Sequence, residues 1–136
     1  MQAGRWGRRF AVSLTGALFS LCAVAGPSAA KKAGDFSLPD LGGKMVRLGE
    51  VNREHPVLVS FWATWCVPCP QEMQHLQRFH ERYADKGLGI LAISIDGPKT
   101  ASKVKPFVTG RRFTFPVLLD TNNDVMRLYQ VSAVPS

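Results

Sequence analysis

The chain is poor in cysteine, in histidine and in long apolar runs, and each shortage excludes something. Three cysteines in 136 residues are too few for a disulfide-rich scaffold, which needs several bridges to hold a small secreted domain. Only one Cys-x-x-Cys is present, and the three histidines are His55, His75 and His80. No second close pair of ligands accompanies the cysteines, as a structural zinc site requires, so no metal and no cofactor is expected. The longest apolar stretch, Phe10 to Ala25, is shorter than the ~20 residues of a membrane-spanning helix. No Lys/Arg cluster is interleaved with aromatics, which excludes a nucleic-acid groove. Repeats and low-complexity segments are absent. The length suits one domain, and 46% hydrophobic residues suffice for a packed core.

What is present begins with a leader. Arg5, Arg8 and Arg9 precede the uncharged stretch FAVSLTGALFSLCAVA, and small residues run on to Ala30. A basic start, an apolar middle and a small-residue exit make residues 1–30 a secretory signal peptide, with a membrane anchor as the alternative. Cleavage after Ala25 and cleavage after Ala30 both satisfy the small-residue rule. Leu21 before Cys22 is not the small residue a lipoprotein signal needs, so Cys22 belongs to the leader. Without residues 1–30 the chain keeps 14 basic and 10 acidic residues, a net +4, which reads as solvated lysines and arginines. Cys66 and Cys69 remain. A disulfide closing so short a loop constrains little of the unfolded chain, so the pair points to chemistry and not to stapling.

Residues 31–136 form the domain. Lys31 to Gly43 reads as a lead-in loop, Lys44 to Leu48 as a short alternating strand, and Val51 to Pro56 as a turn. Val57 to Trp62 (VLVSFW) is a short apolar run, the pattern of a strand buried on both faces. A helix follows, with Pro68 tolerated in its first turn. Met73, Leu76, Phe79, His80 and Tyr83 recur at helical steps and are read as its core stripe, closed by Lys86 and Gly87. Leu88 to Ile95 is a second buried strand and Phe115 to Leu119 a third. A helix over Lys99 to Val108 and a short one at Val125 to Tyr129 complete the set, and Val131 to Ser136 is a loop. This alternation implies an α/β fold with parallel strands.

The chemistry lies in Trp62-Ala63-Thr64-Trp65-Cys66-Val67-Pro68-Cys69. The strand delivers Cys66 to the sheet edge, where it is expected to be exposed. The following helix offers free N–H groups and the positive end of its dipole, which lower the pKa of Cys66. Cys69, one turn in, is the sheltered resolving thiol, and Pro68 stiffens the loop between them. Trp62 and Trp65 read as packing residues beside the site, with Trp65 also a candidate substrate contact. His55 reads as surface. Glu72, three residues after Cys69, fits a proton acceptor for that thiol. The spacing fits equally a solvated glutamate favoured by the helix dipole.

FWATWCVPCPQEM, ILAISID and FPVLLDTNNDVMRLYQVSAVPS together resemble the TlpA/ResA branch of exported thioredoxin-like proteins, over most of Gly34 to Ser136. The resemblance implies a thioredoxin-like fold and a thiol–disulfide oxidoreductase with Cys66 and Cys69 as redox pair. It places Glu72 on the family's active-site glutamate. It makes Pro135 a cis-proline that, with Val134, faces the disulfide and binds substrate backbone. It also implies protein disulfide substrates, as in cytochrome c maturation or copper-centre assembly, and a membrane electron donor. The location would be periplasmic, free or anchored to the inner membrane. Ser60 stands where thioredoxin carries a buried aspartate, and no histidine lies between the cysteines. A reducing potential is therefore expected, nearer thioredoxin's about −270 mV than the about −120 mV of the oxidant DsbA. The family continues past the cis-proline with two antiparallel strands and a helix, so residues 31–136 are expected to be an incomplete domain whose Val57–Trp62 strand would be left as an open edge.

Two other functions compete. A thiol peroxidase commonly has threonine three residues before its reactive cysteine; here that residue is Ala63. A copper or zinc carrier would use the same thiols but needs further ligands.

Overall fold

The computed structural model describes residues 33–136; the expected leader, residues 1–30, lies outside the described residues. Three strands, β3 (Val57–Trp62), β4 (Gly89–Ser94) and β5 (Val117–Leu119), form a parallel sheet in that order. Phe61 is level with Ile93, and Ile93 with Leu118. β4 is central, and every residue from Ile90 to Ser94 is buried, as its unbroken apolar run requires. The α/β alternation expected from the sequence is thus present.

The helices are α1 (Leu48–Val51), α2 (Cys69–Tyr83), α3 (Val104–Gly110) and α4 (Asp124–Leu128). α2 begins at a pair of prolines: Pro68 caps it and Pro70 lies in its first turn. Neither proline has an N–H to leave unbonded there. It runs into a 3-10 turn, Ala84–Lys86, that ends at Gly87 with φ of 86°, a left-handed value that glycine adopts without a Cβ penalty. Pro106 sits in the first turn of α3 and so does not break it. Asp120, buried, accepts from the amides of Asp124 and Met126 and so holds the start of α4.

Several sequence expectations are corrected. The lead-in is not all loop: β1 (Ser37–Pro39) pairs antiparallel with β2 (Met45–Arg47), and an isolated bridge joins Asp40 to Leu118 of β5. So short a strand exists through its partner and the burial of Leu38, which local propensity does not reveal. α1 occupies residues assigned to a strand end and a turn. Asp35 anchors this corner by accepting from the Gly49 amide at 2.8 Å and from Arg47 Nε at 2.7 Å. Those bonds hold its carboxyl below the usual carboxylate range.

β3 is not buried on both faces. Its inner residues Ser60, Phe61 and Trp62 are, but Leu58 is exposed and Val57 and Val59 are half-buried. The helical stripe also outruns the core. Met73 and Leu76 are buried, whereas Phe79 is exposed and stacks on half-buried Tyr83. Lys86 and Arg82 lie over the Tyr83 ring at 5.2 and 5.6 Å, a contact with solvent-side cations.

Candidate active site

Cys66 and Cys69 are joined as a disulfide with their Cα atoms 5.4 Å apart. The bond sits at the junction of β3 and α2. Two corrections follow. α2 starts at Cys69 itself, so Cys69 is the first helical residue and not one turn in. Cys66 is not exposed: it keeps 6% of its surface, and Cys69 none. What is exposed is the rim. Trp65 is 59% and Val67 91% exposed, so Trp65 is not a packing residue. Trp62 is, lying fully buried with its ring 5.0 Å from that of Phe107. Trp65 and Val67 thus form an apolar rim around a recessed disulfide.

The approach to Cys66 is held by Asp96, a residue with no role legible in the sequence. Asp96 follows β4 and is 1% exposed. It accepts from the Thr64 amide at 2.8 Å, from the Thr64 hydroxyl at 2.6 Å and from the Ser94 hydroxyl at 2.9 Å. A buried carboxylate is tolerated when its lone pairs are met in this way. The Cys66 amide in turn donates to Ala63. The segment Ala63 to Cys66 is thereby fixed against β4. An acid directly after a buried apolar strand, with a serine two residues before it, was the available signal.

Glu72 lies in the first turn of α2 and accepts from the hydroxyl of Ser60 at 3.2 Å. Ser60 belongs to β3 and is 4% exposed. A shallow groove of about 280 Å³ is lined by Pro68, Gln71, Glu72, His75 and Pro135. The Val134–Pro135 peptide bond is cis, and Val134 packs on the core that holds both cysteines. The next residue, Ser136, exchanges two backbone hydrogen bonds with Phe61 at 2.8 and 3.2 Å. The structure therefore brings Cys66, Cys69, Glu72, Pro68, Trp65, Val134 and Pro135 to one end of the sheet. A larger cleft of about 460 Å³ lies elsewhere, between the β1–β2 turn and His80; it holds none of these residues. His55 is exposed beside Gly87. Among the described residues no group of three or more His, Cys, Asp or Glu is placed to hold a metal ion, and no helix is long and apolar enough to cross a membrane.

The sequence profile of the AhpC/TSA family matches residues 29–135. A thiol-disulfide oxidoreductase ResA of Bacillus cereus is 34% identical over 106 residues, covering 78% of this chain and 60% of that protein. A ResA of Geobacillus kaustophilus is 36% identical over 104 residues, covering 76% and 58%. The chain thus spans about three fifths of the length of these curated relatives. Among solved structures, a putative thiol:disulfide interchange protein DsbE from Chlorobium tepidum superposes with a TM-score of 0.70. It is 30% identical and covers 77% of this chain and 72% of that one.

Proposed function

The chain belongs to the AhpC/TSA family and has a thioredoxin-like fold, and from that premise we propose that it is a thiol–disulfide oxidoreductase that reduces protein disulfides through Cys66 and Cys69. The observation that carries this reading is the recessed Cys66–Cys69 disulfide at the strand–helix junction, on one end of the sheet with the groove of Pro68, Glu72 and Pro135. In the reduced protein, Cys66 as thiolate attacks one sulfur of a substrate disulfide. That S–S bond breaks, a Cys66–substrate disulfide forms, and the first substrate thiolate leaves and takes a proton from water. Cys69 then gives its proton to Glu72 and attacks Cys66 Sγ, releasing the second thiolate. The substrate gains two electrons, and the enzyme is left as the disulfide seen here.

Trp65, Val67 and the groove at Pro135 would seat the substrate chain. Return to the dithiol needs a protein dithiol donor, and the resemblance to the TlpA/ResA branch suggests a membrane-bound one. The basic and apolar leader supports export to the periplasm, free or anchored, and the TlpA/ResA resemblance suggests substrates of the cytochrome c or copper-centre type.

The test is the reduction potential of Cys66–Cys69 in the full chain, equilibrated in thiol buffers and read by alkylation. The expected outcome is a reversible couple below about −200 mV, the range of reductants. A couple near about −120 mV would make the protein a disulfide donor instead.

A further inference from the structure

A buried hydroxyl in an apolar strand needs a reason. Ser60 stands between Val59 and Phe61 in β3, is 4% exposed, and is the one hydroxyl of that strand. Burial of an unbonded hydroxyl is destabilising. Its single side-chain partner among the described residues is Glu72 Oε1, 3.2 Å away. Ser60 is therefore placed where it can act on only one group.

Glu72 connects two environments. It shares the face of α2 one turn on from Cys69, whose surface is wholly enclosed. It also lines the open groove at Pro135. The proton of Cys69 has no exposed surface to leave by, and Glu72 reaches from the protein interior to solvent. A flexible glutamate has several rotamers, and ordering one costs entropy. The Ser60 hydroxyl, donating from the rigid strand, selects the rotamer that spans the two sides.

We propose that Ser60 is a positioning residue for the resolving step: its hydroxyl holds Glu72 in the orientation that takes the proton of Cys69. The proposal rests on the oxidoreductase reading above. The attack by Cys66 does not pass through Glu72, so Ser60 governs the second step and leaves the first alone.

The two steps separate when the reduced full chain meets an aromatic disulfide that releases one coloured thiolate on attack by Cys66 and a second on resolution by Cys69. Four proteins are compared: the natural chain, Ser60→Ala, Glu72→Gln and the double variant. The first release is expected at equal rates in the natural chain and Ser60→Ala. The second is expected about threefold to tenfold slower in Ser60→Ala, the effect of one ordinary intramolecular hydrogen bond, and slower still in Glu72→Gln. Adding Ser60→Ala to Glu72→Gln is expected to slow it no further, the non-additivity of groups acting as one. Ser60→Thr, which keeps the hydroxyl, is expected to restore the rate; Ser60→Gly removes the hydroxyl if the alanine variant does not fold. An unchanged second release in Ser60→Ala, or an equal slowing in both backgrounds, overturns the role of Ser60 while the oxidoreductase reading stands. A natural chain that releases no coloured thiolate overturns that reading and the proposal with it.

Discussion

The two halves of β3 differ more than their sequence suggests. Val57, Leu58 and Val59 are the more hydrophobic half, yet Leu58 is 37% exposed and neither valine is fully buried. Ser60, Phe61 and Trp62 include the strand's one hydroxyl and are all buried. Both halves pair with β4 along one edge. Among the described residues only the inner half is gripped on the other edge as well, where Phe61 exchanges two hydrogen bonds with Ser136. Among the described residues, burial of this strand is complete only toward the disulfide, where Ser136 lies along its second edge. The inner half is built to hold a site still; the outer half extends the sheet.

The largest expected effect is at the inner end. Trp62 is 1% exposed and packs on Phe107. Trp62→Ala would open a cavity where the chain turns toward Cys66. Replacing a buried tryptophan in this way costs about 3–5 kcal/mol, and denaturant unfolding of the oxidised full chain should show that loss as a lower midpoint with an unchanged slope. A loss under about 1 kcal/mol would mean that the inner half is no better packed than the outer.

Asp96 comes next. Asp96→Ala leaves the Thr64 amide, the Thr64 hydroxyl and the Ser94 hydroxyl without their acceptor. The expected loss is about 1.5–3 kcal/mol, the range for hydrogen bonds to a charged group, read in the same unfolding experiment. Asp96→Asn keeps one acceptor oxygen and should lose less. Equal losses in the two variants would show that the carboxylate's charge, and not its count of acceptors, holds the loop.

These residues also mark how far the sequence could be read. The apolar runs of β3, β4 and β5 and the Cys66–Cys69 spacing are local signals, and they point directly to the parallel α/β order and the paired cysteines. β1 and α1 were missed because three or four residues have no pattern of their own and exist through pairing and contact. Phe79 and Tyr83 were assigned to the core because helical periodicity tells which face is apolar but not where the layer against it ends. The burial of Cys66 was missed for a related reason: a strand end locates a residue at the sheet edge without saying what folds over it. Asp96 and Ser60 look like a turn acid and an interruption in a strand. Their partners lie 32 and 12 positions away, and only the fold brings those together.

The smallest effect should come from the outer half. Leu58→Lys replaces the most exposed residue of the strand with one whose aliphatic stem can cover the same surface while its charge reaches water. A surface substitution that breaks no hydrogen bond stays within about 0.5 kcal/mol, because the backbone pairing of Leu58 with Ile90 does not depend on the side chain. Lysine on a sheet edge also discourages strand-to-strand association between copies. Unfolding of the variant should therefore match the natural chain, and light scattering at high concentration should fall. A loss above about 2 kcal/mol would place Leu58 in a packed environment. The contrast between the two halves of β3 would then be a matter of degree, and hydropathy would govern this strand after all.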